Sequence, residues 1–147
     1  MKRICYRKLR HYKYQLVDDY SIHLDLSLEK NIETKFLILR STGEMTIKKS
    51  YAWDGPSGPT FDTKNFMRGS LVHDALYQLI REKHLEYKLR RFADELLKAH
   101  CLEDGMSGFR AWYVYKAVRW FGKNSALPQK DEGKLVFAPS QSTEENV

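Results

Sequence analysis

Val72-His73-Asp74-Ala75-Leu76-Tyr77-Gln78-Leu79-Ile80 decides how the rest of the chain is read. Val72, Ala75, Leu76, Leu79 and Ile80 recur at helical spacing, so the stretch predicts a helix with one apolar stripe. Asp62 or Thr63 is the candidate N-cap. After a break at Lys83-His84, Leu89, Phe92, Ala93, Leu96 and Leu97 form a second stripe. Two helices joined this closely pack antiparallel. His73 lies about ten residues before the break and Asp94 about ten after it. At a rise of about 1.5 Å per residue, both stand roughly 15 Å from the turn and are level with each other. Tyr77, one turn after His73, shares its edge of the helix. Asp74 points further round, towards whatever covers that side.

Upstream, the period changes from helical to alternating. Tyr12, Tyr14 and Leu16, then Tyr20, Ile22, Leu24 and Leu26, alternate as half-buried strands do, with Asp18-Asp19 between the runs. Phe36-Leu37-Ile38-Leu39 reads as a buried strand, and Ser41-Thr42-Gly43-Glu44 as a hairpin turn before Met45 and Ile47. The expectation is a single α+β domain over residues 1–122: an N-terminal antiparallel β-sheet to residue 51, a loop at 52–62, and helices from 63 to 122. Residues 123–147 are polar and are expected to be a flexible tail, apart from a short strand at Leu135-Val136-Phe137. The third helix, Ser107 to Phe121, is rich in aromatic residues. Phe109, Tyr113, Ala117, Trp120 and Phe121 are expected to cover the helical hairpin. The alternative use of this helix, punctuated by Arg110, Lys116 and Arg119, is an interfacial surface for anionic lipid.

Composition limits the surroundings of any site. The 147 residues have no apolar run fit for a signal peptide or a membrane span, which predicts synthesis in the cytoplasm, with lysis or packaging in a particle as routes of release. The cysteines, Cys5 and Cys101, stand far apart in no ligand spacing and are expected to be reduced thiols. A net charge of +6 favours an anionic partner, either a phospholipid surface or nucleic acid. Lys2, Arg3, Arg7, Lys8, Arg10 and Lys13 crowd the N-terminus among Tyr6, Tyr12 and Tyr14. That pattern suits either a solvated edge strand or phosphate contacts and base stacking on single-stranded nucleic acid.

The polar residues of the hairpin suggest hydrolysis. One carboxylate, Asp94, can orient His73 to take a proton from water. The other, Asp74, can hold a hard cation together with loop oxygens, which suits Ca²⁺. Asp54, in Trp53-Asp54-Gly55-Pro56-Ser57-Gly58-Pro59, supplies such an oxygen, and Gly55 and Gly58 permit carbonyls to turn towards an ion. Simpler readings are a buried hydrogen-bond clip for the tetrad and a plain sheet-to-helix turn for the loop. An HD-type phosphohydrolase also has adjacent His-Asp but needs further helical histidines, whereas His11 and His23 fall in strand-like segments.

The run Asp54-Gly55-Pro56-Ser57, Phe61, His73-Asp74-x-x-Tyr77 and Asp94 resembles the core of the secreted phospholipase A2 superfamily, its bacterial branch most closely. The resemblance implies His73 as general base, Asp74 and Asp54 as calcium ligands with the Gly55 backbone, and Tyr77 and Asp94 as the supporting network. It departs from that pattern where cysteines precede His-Asp; here the segment reads Gly69-Ser70-Leu71-Val72. Pro56 and Pro59 also stiffen the loop and remove backbone donors.

A second resemblance, from about Phe36 to Gly122, is to a domain family of unknown function frequent in tailed bacteriophages and prophages. It is carried by the Asp54 loop, His73-Asp74-Ala75-Leu76-Tyr77, Arg91-Phe92-Ala93-Asp94 and Tyr115-Lys116-Ala117-Val118-Arg119-Trp120-Phe121-Gly122. Together the resemblances imply a Ca²⁺-dependent, phospholipase A2-like esterase of bacteriophage or prophage origin. The alternatives are a non-catalytic phage accessory or binding protein on the same scaffold, and a basic nucleic-acid-binding module.

Overall fold

Alternating residues become paired strands, and a break in the alternation separates two sheets. The computed structural model describes residues 3–10, 13–54 and 63–128. In the first sheet, β1 (Tyr6–Lys8) pairs antiparallel with β2 (Tyr14–Leu16), which pairs antiparallel with β7 (Ala52–Trp53). The second contains β3 (Tyr20–His23), β4 (Ile32–Glu33), β5 (Leu37–Leu39) and β6 (Glu44–Ile47), ordered β3-β6-β5-β4 and antiparallel throughout. Asp18-Asp19 is where the chain leaves one sheet for the other. The Asp19 carboxylate accepts from the Lys49 amide at 2.7 Å, which ties down the return crossing. At the β5–β6 turn Gly43 has φ +101°, and a Cβ there would run into the Leu24 carbonyl.

The α+β order expected from the sequence is the observed one, with two small sheets in place of one. Strand structure also extends past residue 51. Trp53, read as part of the loop, pairs with Tyr14 and is buried.

Three helices follow: α1 (Lys64–Arg81), α2 (Arg90–Glu103) and α3 (Gly108–Phe121). Thr63 is the N-cap residue of α1, though its hydroxyl bonds the Asn65 side chain and caps no amide; Asp62 lies outside the described residues. Lys83, with φ 65°, reverses the chain after α1, and a 3₁₀ turn at Tyr87–Leu89 leads into α2. Contacts then run backward along α2: Arg68 meets Glu103, Gly69 faces Cys101, His73 meets Asp94 and Tyr77 meets Arg90. That order makes the hairpin antiparallel.

The central helix is α1. Its Met67, Leu71, Val72, Ala75, Leu76 and Leu79 join Leu16, Leu37, Leu39, Met45 and Ile47 of both sheets in one core. Each such buried leucine is worth about 2–5 kcal/mol against alanine. A smaller core lies between the helices, from Phe66, Leu97, Cys101, Met106, Ala111 and Val114. Burial there pushes the Cys101 thiol up to about 12, so it is unreactive, while Cys5 is exposed. No helix of the described residues is long and apolar enough to cross a membrane.

The third helix corrects one expectation. Phe109, Trp120 and Phe121 are 78 %, 75 % and 80 % exposed, and Tyr113 is half exposed. The covering face is instead built from Ala111 and Val114, with Val118 packed beside them. These smaller side chains, spaced by three and four, let α3 approach the hairpin closely. The chain then continues as a 3₁₀ turn at Lys123–Ala126, with Ala126 fully buried in the main core. The proposed strand at Leu135-Val136-Phe137 lies outside the described residues.

Candidate active site

Helix α1 places Ser70, Asp74 and Gln78 one turn apart on a single face. The segment carrying β7 runs along that face in the opposite direction. Tyr51 donates to Gln78 Oε1 at 3.0 Å, and Trp53 Nε1 donates to Ser70 Oγ at 3.1 Å. Asp74 is therefore straddled by two anchors to the strand, and Asp54 follows directly after the second. A cleft of about 660 Å³ opens here, lined by Asp54, His73, Asp74 and Tyr77, with walls from β7 and α3.

On the far side of His73 stands Asp94, with no exposed surface. His73 Nε2 lies 2.7 Å from its Oδ1, and the Tyr77 hydroxyl donates to the same oxygen at 2.6 Å. Arg119 Nη1 donates to Oδ2 at 2.9 Å. Burial works against the Asp94 anion, but the bonds from His73, Tyr77 and Arg119 overcome it and hold its carboxyl below the usual range. An ionised Asp94 accepts the Nε2 proton and fixes the tautomer with Nδ1 as the basic nitrogen. Nδ1 looks towards Asp74, whose Oδ1 is 3.7 Å away. This is too long for a direct hydrogen bond, so Nδ1 is left facing the Asp74 side of the cleft.

The two carboxylates act on the imidazole in the same sense. Burial disfavours its charged form, yet Asp74 and Asp94 outweigh that and pull the His73 pKa upward. Asp74 itself is pushed up, chiefly by burial; His73 lowers it, and the negative charge of Asp54 raises it again. A third of its side chain still reaches the cleft, which leaves the carboxylate open to solvent or a cation.

Asp54 and Asp74 line the same cleft and repel each other, which is the donor chemistry a hard cation relieves. The side chain of Asp54 is 81 % exposed and lies 3.9 Å from Lys13 Nζ. Among the described residues no group of three or more His, Cys, Asp or Glu converges as a metal site. Ca²⁺ takes about six to eight oxygens, so backbone and water would have to supply most of them. Gly55, the expected backbone ligand, lies outside the described residues. The fit is therefore one of ligand type at two positions.

Sequence reasoning missed the basic half of the network. Arg90 Nε donates to the Tyr77 hydroxyl at 3.1 Å, while its Nη2 donates to the Val118 and Arg119 carbonyls at 2.9 and 2.7 Å. It thus closes the C-terminal turn of α3 onto the site. The available signal was its place four residues before Asp94, on the same helical edge. Arg91, quoted in the second resemblance, faces outward and pairs with Glu95.

Gly122 closes the motif at the end of α3, but its contact with Tyr77 is visible only in the fold. A Cβ there would stand 2.8 Å from the Tyr77 hydroxyl and 2.5 Å from the Val118 carbonyl. Gly122→Ala should therefore shift Tyr77 or the end of α3 and cost about 1–3 kcal/mol, as overpacking does, measured by urea unfolding. An unchanged midpoint would show that the turn moves away freely.

Two of the three aromatics of the basic N-terminus are described, and both turn inward. Tyr14 is buried and Tyr6 partly so, and both pack on Trp53 with ring centroids 5.7 and 6.0 Å from it. Arg7 and Lys8 lie exposed on the edge strand β1, the arrangement of a solvated edge. His11 and Tyr12 lie outside the described residues. His23 is exposed on β3 beside Glu44, remote in sequence and element from the helical site.

Comparison of the chain with protein-family models, curated proteins and solved structures finds no match to any of them.

Proposed function

We propose that the cleft is the active site of a Ca²⁺-dependent, phospholipase A2-like esterase of bacteriophage or prophage origin. The observation that carries this reading is the orientation of His73: Nε2 is held by Asp94 at 2.7 Å, and Nδ1 is turned towards Asp74. His73 Nδ1 takes a proton from water as the water oxygen bonds to the ester carbonyl carbon of a lipid. Asp94, fixed by Tyr77 and Arg119, stabilises the imidazolium that results. The proton then passes to the leaving alkoxide as the ester C–O bond breaks, giving a fatty acid and a lysolipid. Ca²⁺ held by Asp74 and Asp54 would supply Lewis-acid polarisation of the carbonyl. Trp53, Phe66, Leu97, Val114 and Phe121 line the cleft, an apolar wall suited to an acyl chain.

The test is fatty-acid release from mixed anionic phospholipid vesicles. Release should require Ca²⁺, stop on chelation, and fall by about 10²–10⁴-fold in His73→Ala, the range of a lost general base. Ca²⁺ should also raise the Tm of the wild type through binding to the folded state. A folded protein that shows neither effect is a non-catalytic accessory protein on this scaffold.

A further inference from the structure

Helix α3 has fourteen residues, three of them cationic and none acidic. Phe109, Trp112, Tyr113, Lys116 and Trp120 fall within about 100° of one another around its axis, opposite the buried Ala111 and Val114. Trp112 and Trp120 are 47 % and 75 % exposed, so the stripe is an apolar surface. It is also a cationic one. Lys116 Nζ sits 5.9 Å above the Trp112 ring, and on the flank Lys98 Nζ sits 5.6 Å above Tyr115. Tyr113 and Phe121 continue the surface to the cleft, which they line.

We propose that this outward face of α3 docks on an anionic bilayer surface and seats the mouth of the cleft at the lipid headgroups. Tryptophan, tyrosine and lysine together suit the headgroup zone, where ring bodies are buried and polar tips stay wet. Charge selects this occupant over a second copy of the chain. A two-fold dimer through the stripe sets Lys116 near its own counterpart with no carboxylate on either helix to offset it. An anionic leaflet instead attracts Lys116, Lys123 and the net charge of +6. The seating role rests on the lipid-hydrolase reading; docking itself needs no chemistry.

Binding is tested without turnover, by co-sedimentation with vesicles of phosphatidylglycerol and phosphatidylcholine and by tryptophan emission. Wild type and His73→Ala should bind the anionic vesicles equally, with emission shifted to the blue, and bind pure phosphatidylcholine weakly. The double variant Trp112→Ser/Trp120→Ser should lose at least about tenfold in partitioning. Lys116→Glu, which keeps every aromatic, should lose at least about fivefold on anionic vesicles alone, and it carries the test if the double variant fails to fold. The proposal is overturned if folded wild type ignores anionic vesicles, or if these variants bind as wild type does. A dimer abolished by the same variants, without vesicle binding, assigns the face to a second copy and also overturns it. Docking without hydrolysis leaves this proposal standing and removes the enzyme reading. Hydrolysis of a soluble short-chain ester without docking does the reverse.

Discussion

Asp94→Asn, a change behind the cleft, should lower hydrolysis by about 10³–10⁴-fold and folding stability by about 3–5 kcal/mol. The two losses share one cause. Asp94 is fully buried and accepts from His73, Tyr77 and Arg119. An amide of the same shape has one acceptor oxygen and one donor group. If its oxygen serves His73 and Tyr77, its NH₂ confronts the Arg119 guanidinium; if it is flipped, the NH₂ confronts the imidazole. The first arrangement strands a cation, and the second selects the wrong tautomer of the base. Either way the buried network loses the charge that balances it.

The pH dependence separates this account from simple crowding. The folded pKa of Asp94 is depressed, so its contribution is present above about pH 3.8 and lost as pH falls through the folded value. The deficit of Asp94→Asn should therefore shrink below about pH 4 in chemical denaturation. Activity losses in His73→Ala and Asp94→Asn should not add, because the aspartate acts through the histidine. A deficit that stays constant down to pH 2, or full additivity, would rule out the orienting role.

Half of this network was legible in the sequence because helices are regular. The spacing of two apolar stripes placed His73 level with Asp94, and an i, i+4 relation placed Tyr77 beside it, as the 2.7 and 2.6 Å contacts show. The direction of Asp74 followed from the same arithmetic, and the strand anchored at Ser70 and Gln78 is what covers that side. What periodicity does not encode is which outside element arrives. Arg119 reaches Asp94 from α3, across a sequence gap that no local rule spans.

The orientation of α3 itself was misread for a related reason. Its aromatic and aliphatic residues occur all round the helix, so no single apolar stripe defines the inner face. Size decided it: Ala111 and Val114 fit a narrow gap, and Phe109 and Trp120 do not. The division into two sheets was likewise marked by Asp18-Asp19, two carboxylates that read equally well as a turn within one sheet. The tie from Asp19 to the Lys49 amide is a long-range contact visible only in the fold.

Arg68→Met should cost about 2–4 kcal/mol at neutral pH, a fall in Tm of roughly 4–16 °C for a domain of this size, with the volume of the site nearly kept. Arg68 is 4 % exposed and joins three elements through one guanidinium. Nε donates to Asp104 at 2.9 Å, Nη2 to Glu103 at 2.9 Å, and Nη1 to the Tyr20 hydroxyl at 3.2 Å. Asp104 is the C-cap residue of α2, where a carboxylate meets the negative end of the helix dipole, so the arginine offsets two unfavourable charges there. The cost stays below that of breaking a fully buried pair because the Glu103 side chain is 44 % exposed and partly solvated. His100 provides an internal control. Its pKa is held down to about 4, first by burial and then by the Arg68 cation. A depressed histidine contributes stability above about pH 6.5 that is lost as pH falls through about 4. Without Arg68 that depression lessens, so the gap between Arg68→Met and wild type should narrow between pH 7 and 5. A gap of constant size across that range would mean that Arg68 acts through the packing of its stem, and the electrostatic account would fail.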